Sequence, residues 1–240
     1  MKKLFLTSIA LIFVTALFAQ EGTTNLGFNI GFAEPVMYYR PSIATTKKTR
    51  QATDGVKVGV IYETNIIKGF GVSSSLNYTH STHIGPWTVD KNSAAIRTKE
   101  DHNFHQLEIP VDWQYRFLIA KQTYVSLYTG PTLQIGLANT FRYRTKVGDE
   151  ITKDEKVDVY KIDEDHDGKP DYNRVNVTWG VGASFQYKQY FIRGGYDFGI
   201  MNVYRDGFDD RPSYNGGQWN RDGRLDQWQI KLGIYFWQFD

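Results

Sequence analysis

The chain has 240 residues, with 28 Lys and Arg against 26 Asp and Glu, and no cysteine. So even a balance offers no basic stripe for nucleic acid, and the lack of cysteine excludes a disulfide scaffold, thiolate metal chemistry and a lipidated-cysteine anchor. Aromatic residues make up 15% and there are 22 glycines, a composition that suits crowded strands flanked by interfacial aromatic rings.

Residues 1–19 have the three parts of a secretory signal. Lys2 and Lys3 form a basic start, Leu4 to Phe18 an apolar run, and Leu17-Phe18-Ala19 a cleavage site before Gln20. The run is shorter than the roughly 20 residues that a spanning helix needs. Removal of this segment leaves a mature domain, 20–240, with 26 charges of each sign.

Eight strands follow, each with one bulky face and one small or polar face, because successive side chains leave opposite sides of the pleat. The first, Asn25 to Ala33, sets Leu26, Phe28, Ile30 and Phe32 against Gly27, Asn29 and Gly31. The second is Val56 to Thr64, the third Gly69 to His80 and the fourth Asn103 to Tyr115. The fifth runs from Thr123 to Leu137, with Gly130-Pro131 predicting a bulge or local irregularity, since proline cannot donate to the ladder. The sixth, Val175 to Tyr187, places Val175, Val177, Trp179, Val181, Ala183, Phe185 and Tyr187 on one side. The other side carries Asn176, Thr178, Gly180, Gly182, Ser184 and Gln186. The seventh is Tyr190 to Asn202, and the eighth carries Trp228, Ile230, Leu232, Ile234 and Phe236 before changing phase at Trp237.

Connections after strands two, four and six are brief, whereas 34–55, 81–101, 138–173 and 203–224 are long and polar. An even strand number with every short turn on one side predicts an all-β fold: an eight-stranded antiparallel up-and-down transmembrane β-barrel, with short periplasmic turns and long external loops. Strands of about nine to eleven residues suffice to cross a bilayer. The small face (Gly, Ser, Thr, Asn, Gln) suits a narrow lumen, and Tyr62, Phe70, Tyr78, Tyr115, Tyr187 and Tyr190 stand where aromatic girdles are expected. Eight strands leave no wide pore. The expected partners are outer-membrane lipid and an extracellular or envelope protein, for a monomer that binds no nucleic acid. A soluble periplasmic lipocalin-like barrel with an apolar ligand is the alternative reading, and a lipid-modifying barrel enzyme a further one.

Leu107-Glu108-Ile109-Pro110-Val111, continuing to Tyr115, resembles the "LEIP" stretch of the PorT-like outer-membrane β-barrel family, and Gly130-Pro131 with its apolar-alternating continuation is similar to that family's next strand. The resemblance implies an integral outer-membrane barrel with no known enzymatic site.

Three groups of residues carry chemical interest. Asp163, Asp165, Asp167 and Asp171, with Gly168 between, follow the opening of a calcium loop, and Ca2+ is the one cofactor the sequence suggests, although none is required. Arg174 stands where an EF-hand places a bidentate Glu. Pairing Leu76 with Ile109 and Tyr78 with Leu107 sets His80 opposite His105 and His83 opposite His102, candidate ligands for a transition metal. Lys57, Glu63, Glu108, Asp112, Arg193, Asp197 and Lys231 face the lumen. Salt bridging between neighbouring strands, not acid–base catalysis, is the expectation for them, because no nucleophile or oxyanion arrangement accompanies them. Ser81 beside His80 and His105 is the nearest approach to a catalytic set, and no catalytic residue is assigned. Trp87, Tyr214 and Trp219 are loop aromatics suited to contact.

Overall fold

The computed structural model of the chain describes residues 23–39, 49–67, 69–90, 93–161, 170, 172–204 and 223–239. Eleven strands appear there: β1 (Thr24–Tyr39), β2 (Thr49–Ala52), β3 (Asp54–Ile67), β4 (Phe70–Ile84), β5 (Thr88–Asp90), β6 (Ser93–Ala120), β7 (Thr123–Val147), β8 (Glu150–Asp158), β9 (Val175–Tyr187), β10 (Tyr190–Gly199) and β11 (Gly223–Phe239). No helix occurs among the described residues. Eight strands close a ring in the order β1, β3, β4, β6, β7, β9, β10, β11 and back to β1, every pairing antiparallel.

Burial runs opposite to that of a water-soluble protein. Ile30 is 58% and Leu232 59% exposed, while Lys57, Asn77 and Thr79 are 0% exposed. Apolar side chains on the outside of a closed sheet need a hydrocarbon surround, and backbone groups in hydrocarbon must be paired, which closure achieves. The alternative of a soluble barrel fails on this point, because its outer face would carry the charges. Tyr62, Phe70, Tyr115, Tyr187 and Tyr190 cluster, exposed, on the half nearest the short turns, and Tyr78 on the opposite half.

The tight turns explain their own backbone. Gly69 has φ +87°, and Gln122 and Lys188 take the left-handed region at φ 58° and 53°, as two-residue links between twisted strands require. Thr23, Gln122, Lys188 and Gln238 all border one opening, so both described ends of the chain share the short-turn end.

Four register shifts adjust the ring, at Leu26/Gly27, Asn65/Ile67, His105/Gln106 and Leu118/Ala120. Leu26 pairs with Trp237 but Gly27 with Tyr235, so Phe236 is the extra residue and both Phe236 and Trp237 face out, which is the phase change expected at the end of the eighth strand. At Pro131 the ladder has a local irregularity and no bulge. Pro110 pairs with Thr132 and Trp113 with Thr129 in one unbroken register, and only the rungs between are missing. The extra residue in this strand is Leu137, since His105 pairs with Ala138 and Gln106 with Gly136.

Strands also rise well beyond the expected spans. The segments read as loops at 81–101 and 138–173 are largely strand: β6 and β7 pair from Ile96 and Val147 downward. β5 lies against the upper part of β6 and β8 against that of β7, making a four-stranded external sheet. β2 pairs with the top of β1.

Candidate functional site: an ionic lumen under an external sheet

All seven of the inward charges are buried, none more than 6% exposed. Their partners are not those expected. Glu108 on β6 bonds across β4 to Lys57 on β3, Nζ to Oε2 at 2.5 Å, and Lys57 also donates to Gln229 Oε1 at 2.7 Å. Thr79 Oγ1 (2.5 Å), Gln106 Nε2 (2.8 Å) and Gln227 Nε2 (3.1 Å) donate to the same carboxylate. Gln229 Nε2 reaches on to Asp197 Oδ2 at 2.8 Å. The centre of the lumen is thus one polar network drawn from five strands, because in so narrow a ring a long side chain finds the far wall before its neighbour.

A second cluster lies nearer the short turns. Arg193 spans the lumen from β10 to Asp112 Oδ2 (2.5 Å) and Ser73 Oγ (3.0 Å), with its guanidinium 3.6 Å from the centre of the Tyr128 ring. Tyr235 donates to Glu63 Oε2 at 2.8 Å, and Arg116 sits 3.6 Å from the other oxygen while stacking on Tyr124. Ile61, Phe191 and Tyr235 close this end as an apolar cluster. Tyr128, Tyr235 and Arg116 were not among the expected residues. Two of them betray themselves by glycines: a Cβ on Gly182 would lie 2.3 Å from the Tyr128 ring, and one on Gly27 would lie 2.9 Å from that of Tyr235.

The external mouth is stoppered. Tyr160, following β8, turns back over Gly136, where a Cβ would meet its hydroxyl at 2.2 Å. Arg174 Nη2 donates to the Tyr160 carbonyl at 3.0 Å, and burial pushes the Tyr160 hydroxyl up to about 12. Beneath it, among His102, Phe104, Gln106, Gln134 and Asn176, lies a cavity of only about 40 Å3, room for roughly one to three waters.

The histidines take the expected register, His80 opposite His105 and His83 opposite His102. The pairs lie on opposite faces of the sheet. His80 and His105 stand on the outer face with parallel rings 4.3 Å apart, and Tyr78 Oη bonds His105 Nδ1 at 2.7 Å. Stacked rings aim their in-plane lone pairs alongside each other, not at a common point, as a metal would need. His102 points to the mouth, stacks on Phe141 at 4.1 Å and donates from Nε2 to Asn139 Oδ1 at 2.5 Å. Burial lowers the pKa of His102, its bond to Asn139 partly offsets this, and nearby His83 adds to the lowering. Among the described residues no three acidic or His side chains converge on one point. Asp163, Asp165, Asp167 and Asp171 lie outside the described residues, as do Tyr214 and Trp219. Ser81 faces inward and donates to no histidine; its Oγ accepts from Thr53 Oγ1 at 2.9 Å.

A closed antiparallel ring with an apolar exterior, an ionic interior and all its short turns at one end defines an integral outer-membrane β-barrel. The chain belongs to the family described as outer membrane protein beta-barrel domain, which matches residues 18–205. Among solved structures, it is similar to Ail, the attachment invasion locus protein of Yersinia pestis: 14% identity, 92% of this chain and 100% of that one covered, TM-score 0.41. Neisserial surface protein A is similar at 11% identity, with 87% and 97% covered and a TM-score of 0.38. The N-terminal barrel domain of Pseudomonas aeruginosa OprF is similar at 10% identity, with 88% and 99% covered and a TM-score of 0.32. No curated protein matches the chain. The protein is an outer-membrane protein.

Proposed function

We propose that this barrel is a non-enzymatic platform: a sealed, monomeric anchor that carries its external hairpins and loops into contact with the cell's surroundings or with an envelope protein. The observation that carries this reading is the combination of a lumen filled by the Lys57–Glu108 network and stoppered by Tyr160 with an external sheet of four strands above it. Such an interior supports neither transport nor a substrate cleft. A signal segment over residues 1–19, a mature domain of 20–240 and kinship with PorT-like barrels at Leu107-Glu108-Ile109-Pro110-Val111 belong to the same reading.

The test is capture of partners by the intact barrel in detergent, with and without Ca2+. The calcium arm addresses Asp163, Asp165, Asp167 and Asp171, for which affinity of about 10⁻⁴–10⁻³ M is expected, as in extracellular modules. Large, steady single-channel currents would overturn the sealed lumen. Turnover of a lipid or ester substrate by the pure barrel would overturn the non-enzymatic reading.

A further inference from the structure

The opening at the short-turn end differs from the stoppered external mouth. It encloses about 340 Å3, within the range of about 300–1,000 Å3 common to ligand pockets. Ile61, Phe191 and Tyr235 close the lumen behind it, so it is a blind recess. Among the described residues it is lined by two cations, Arg116 and Lys188, by five Asn and Gln side chains, and by no carboxylate. The connections around it are short turns, which places it on the periplasmic side.

Arg116 is the chemical centre of this recess. Its side chain is only 9% exposed, and one face of its guanidinium is covered by the Tyr124 ring at 3.7 Å. Among the described residues it makes a single hydrogen bond, from Nη2 to Gln186 Oε1 at 2.7 Å. Glu63 Oε1 lies 3.6 Å from Nη1, beyond hydrogen-bond reach, and the other oxygen of Glu63 accepts the Tyr235 hydroxyl at 2.8 Å. Nε is buried with no partner. A buried charged donor left unmade is costly. A planar fork with most of its N–H groups unspent is the geometry that receives a carboxylate through parallel bonds. Asn25, on β1 in the same recess, is 1% exposed, and its Oδ1 accepts nothing. The recess therefore offers a spare acceptor as well as spare donors. A bare anion satisfies only the donors. The free carboxyl end of a peptide carries a carboxylate and an N–H on neighbouring atoms and satisfies both, and the amide walls suit the backbone that precedes it.

We propose that this recess binds the free carboxyl end of a peptide on the periplasmic side, with the Arg116 fork holding the carboxylate and Asn25 Oδ1 accepting the N–H of the last residue. Protein chain ends and cell-wall peptides share this chemistry. The experiment titrates the full barrel in detergent micelles, by calorimetry, with N-acetyl-L-alanyl-L-alanine, with its C-terminal amide, with the D,D acid and with sodium acetate. The acid is expected to bind. The amide, which loses the charge-assisted bonds, is expected to bind at least about tenfold more weakly, and acetate, which has no N–H, more weakly than the acid. Arg116→Lys keeps a cation beside Glu63 and removes the fork; it is expected to bind the acid about tenfold more weakly, and heat-modifiable gel migration reports its folding. The preference between the L,L and D,D acids tells a protein end from a cell-wall peptide. No binding of either acid, equal binding of acid and amide, acetate binding as tightly as the dipeptide, or unchanged affinity in the folded Arg116→Lys barrel would each overturn the proposal. The comparison of acid with amide uses the wild type, so it decides the matter even where Arg116→Lys does not fold.

Discussion

Replacing Glu108 by Gln keeps the shape of the side chain at the centre of the lumen and removes its charge. Glu108 is 1% exposed, and its Oε2 receives Lys57 Nζ at 2.5 Å and Gln227 Nε2 at 3.1 Å. In the variant the amide NH2 faces either Lys57 Nζ and Gln227 Nε2 or, flipped, Thr79 Oγ1 and Gln106 Nε2, and the Lys57 ammonium loses its counter-charge. Breaking a buried ion pair from one side costs about 3–5 kcal/mol. Lys57 keeps Gln229 Oε1 at 2.7 Å, so the lower end, about 3 kcal/mol, is expected. Adding Lys57→Met removes the orphaned charge, and the double variant should recover much of the loss, with a coupling of about 1–3 kcal/mol. Urea unfolding of the barrel in micelles, followed by the fluorescence of its six tryptophans, measures all four corners of the cycle. An E108Q midpoint equal to wild type, or strictly additive single substitutions, would refute the claim that this pair organises the lumen. Asp154→Asn, on the exposed hairpin, is the control and should leave the midpoint unmoved.

Gly136→Ala is expected to expel Tyr160 from the mouth, since the three atoms nearest the added methyl all belong to that side chain; limited proteolysis near Tyr160 should accelerate, and the same substitution in a Tyr160→Ala background should have no such effect. Gly182→Ala meets both the Tyr128 ring at 2.3 Å and the Gly194 carbonyl at 2.4 Å, so it should destabilise by about 1–3 kcal/mol in the same urea assay. His102, which lies above the apolar belt, favours its neutral form in the folded barrel because burial lowers its pKa. Its contribution to stability is therefore fully present above the ordinary value of 6.5 and is lost as pH falls through the lower folded value. His102→Gln should flatten that acid limb of the urea midpoint, and an unchanged limb would assign it to other groups.

Strands within the apolar belt were legible because one face there meets hydrocarbon and the other does not. Val175 to Tyr187 alternates along its whole length, and β9 has those bounds. Above the belt both faces are wet and the period vanishes. Ser93 to Asp101 reads as a polar loop and is the upper part of β6, and β8, with Lys and acidic residues on either face, gives no pattern at all. Phase, not proline, was the better signal for bulges. Leu137 and Ala138 are consecutive outward residues, as are Phe236 and Trp237, and the register shifts at both places. Pro131 only removes a donor. Facing of the lumen charges was legible residue by residue, but not their partners. Lys57 and Glu108 are separated by an intervening strand, and distances across a ring follow from its curvature, which sequence spacing does not contain.

The pairing of β1 with β11 joins residues some two hundred positions apart, Phe28 beside Ile234 for example. Loop-closure entropy grows only slowly with length, but contacts so remote in sequence cannot form until the intervening hairpins have gathered. Until that moment β1 and β11 each present an unpaired edge, a template for aggregation in water and a row of unsatisfied amides in lipid. Assembly of this ring is accordingly expected to be concerted with insertion, with hairpins built from the short turns first and the seam zipped last. A truncation that removes β11 would leave not a smaller barrel but an open, sticky sheet.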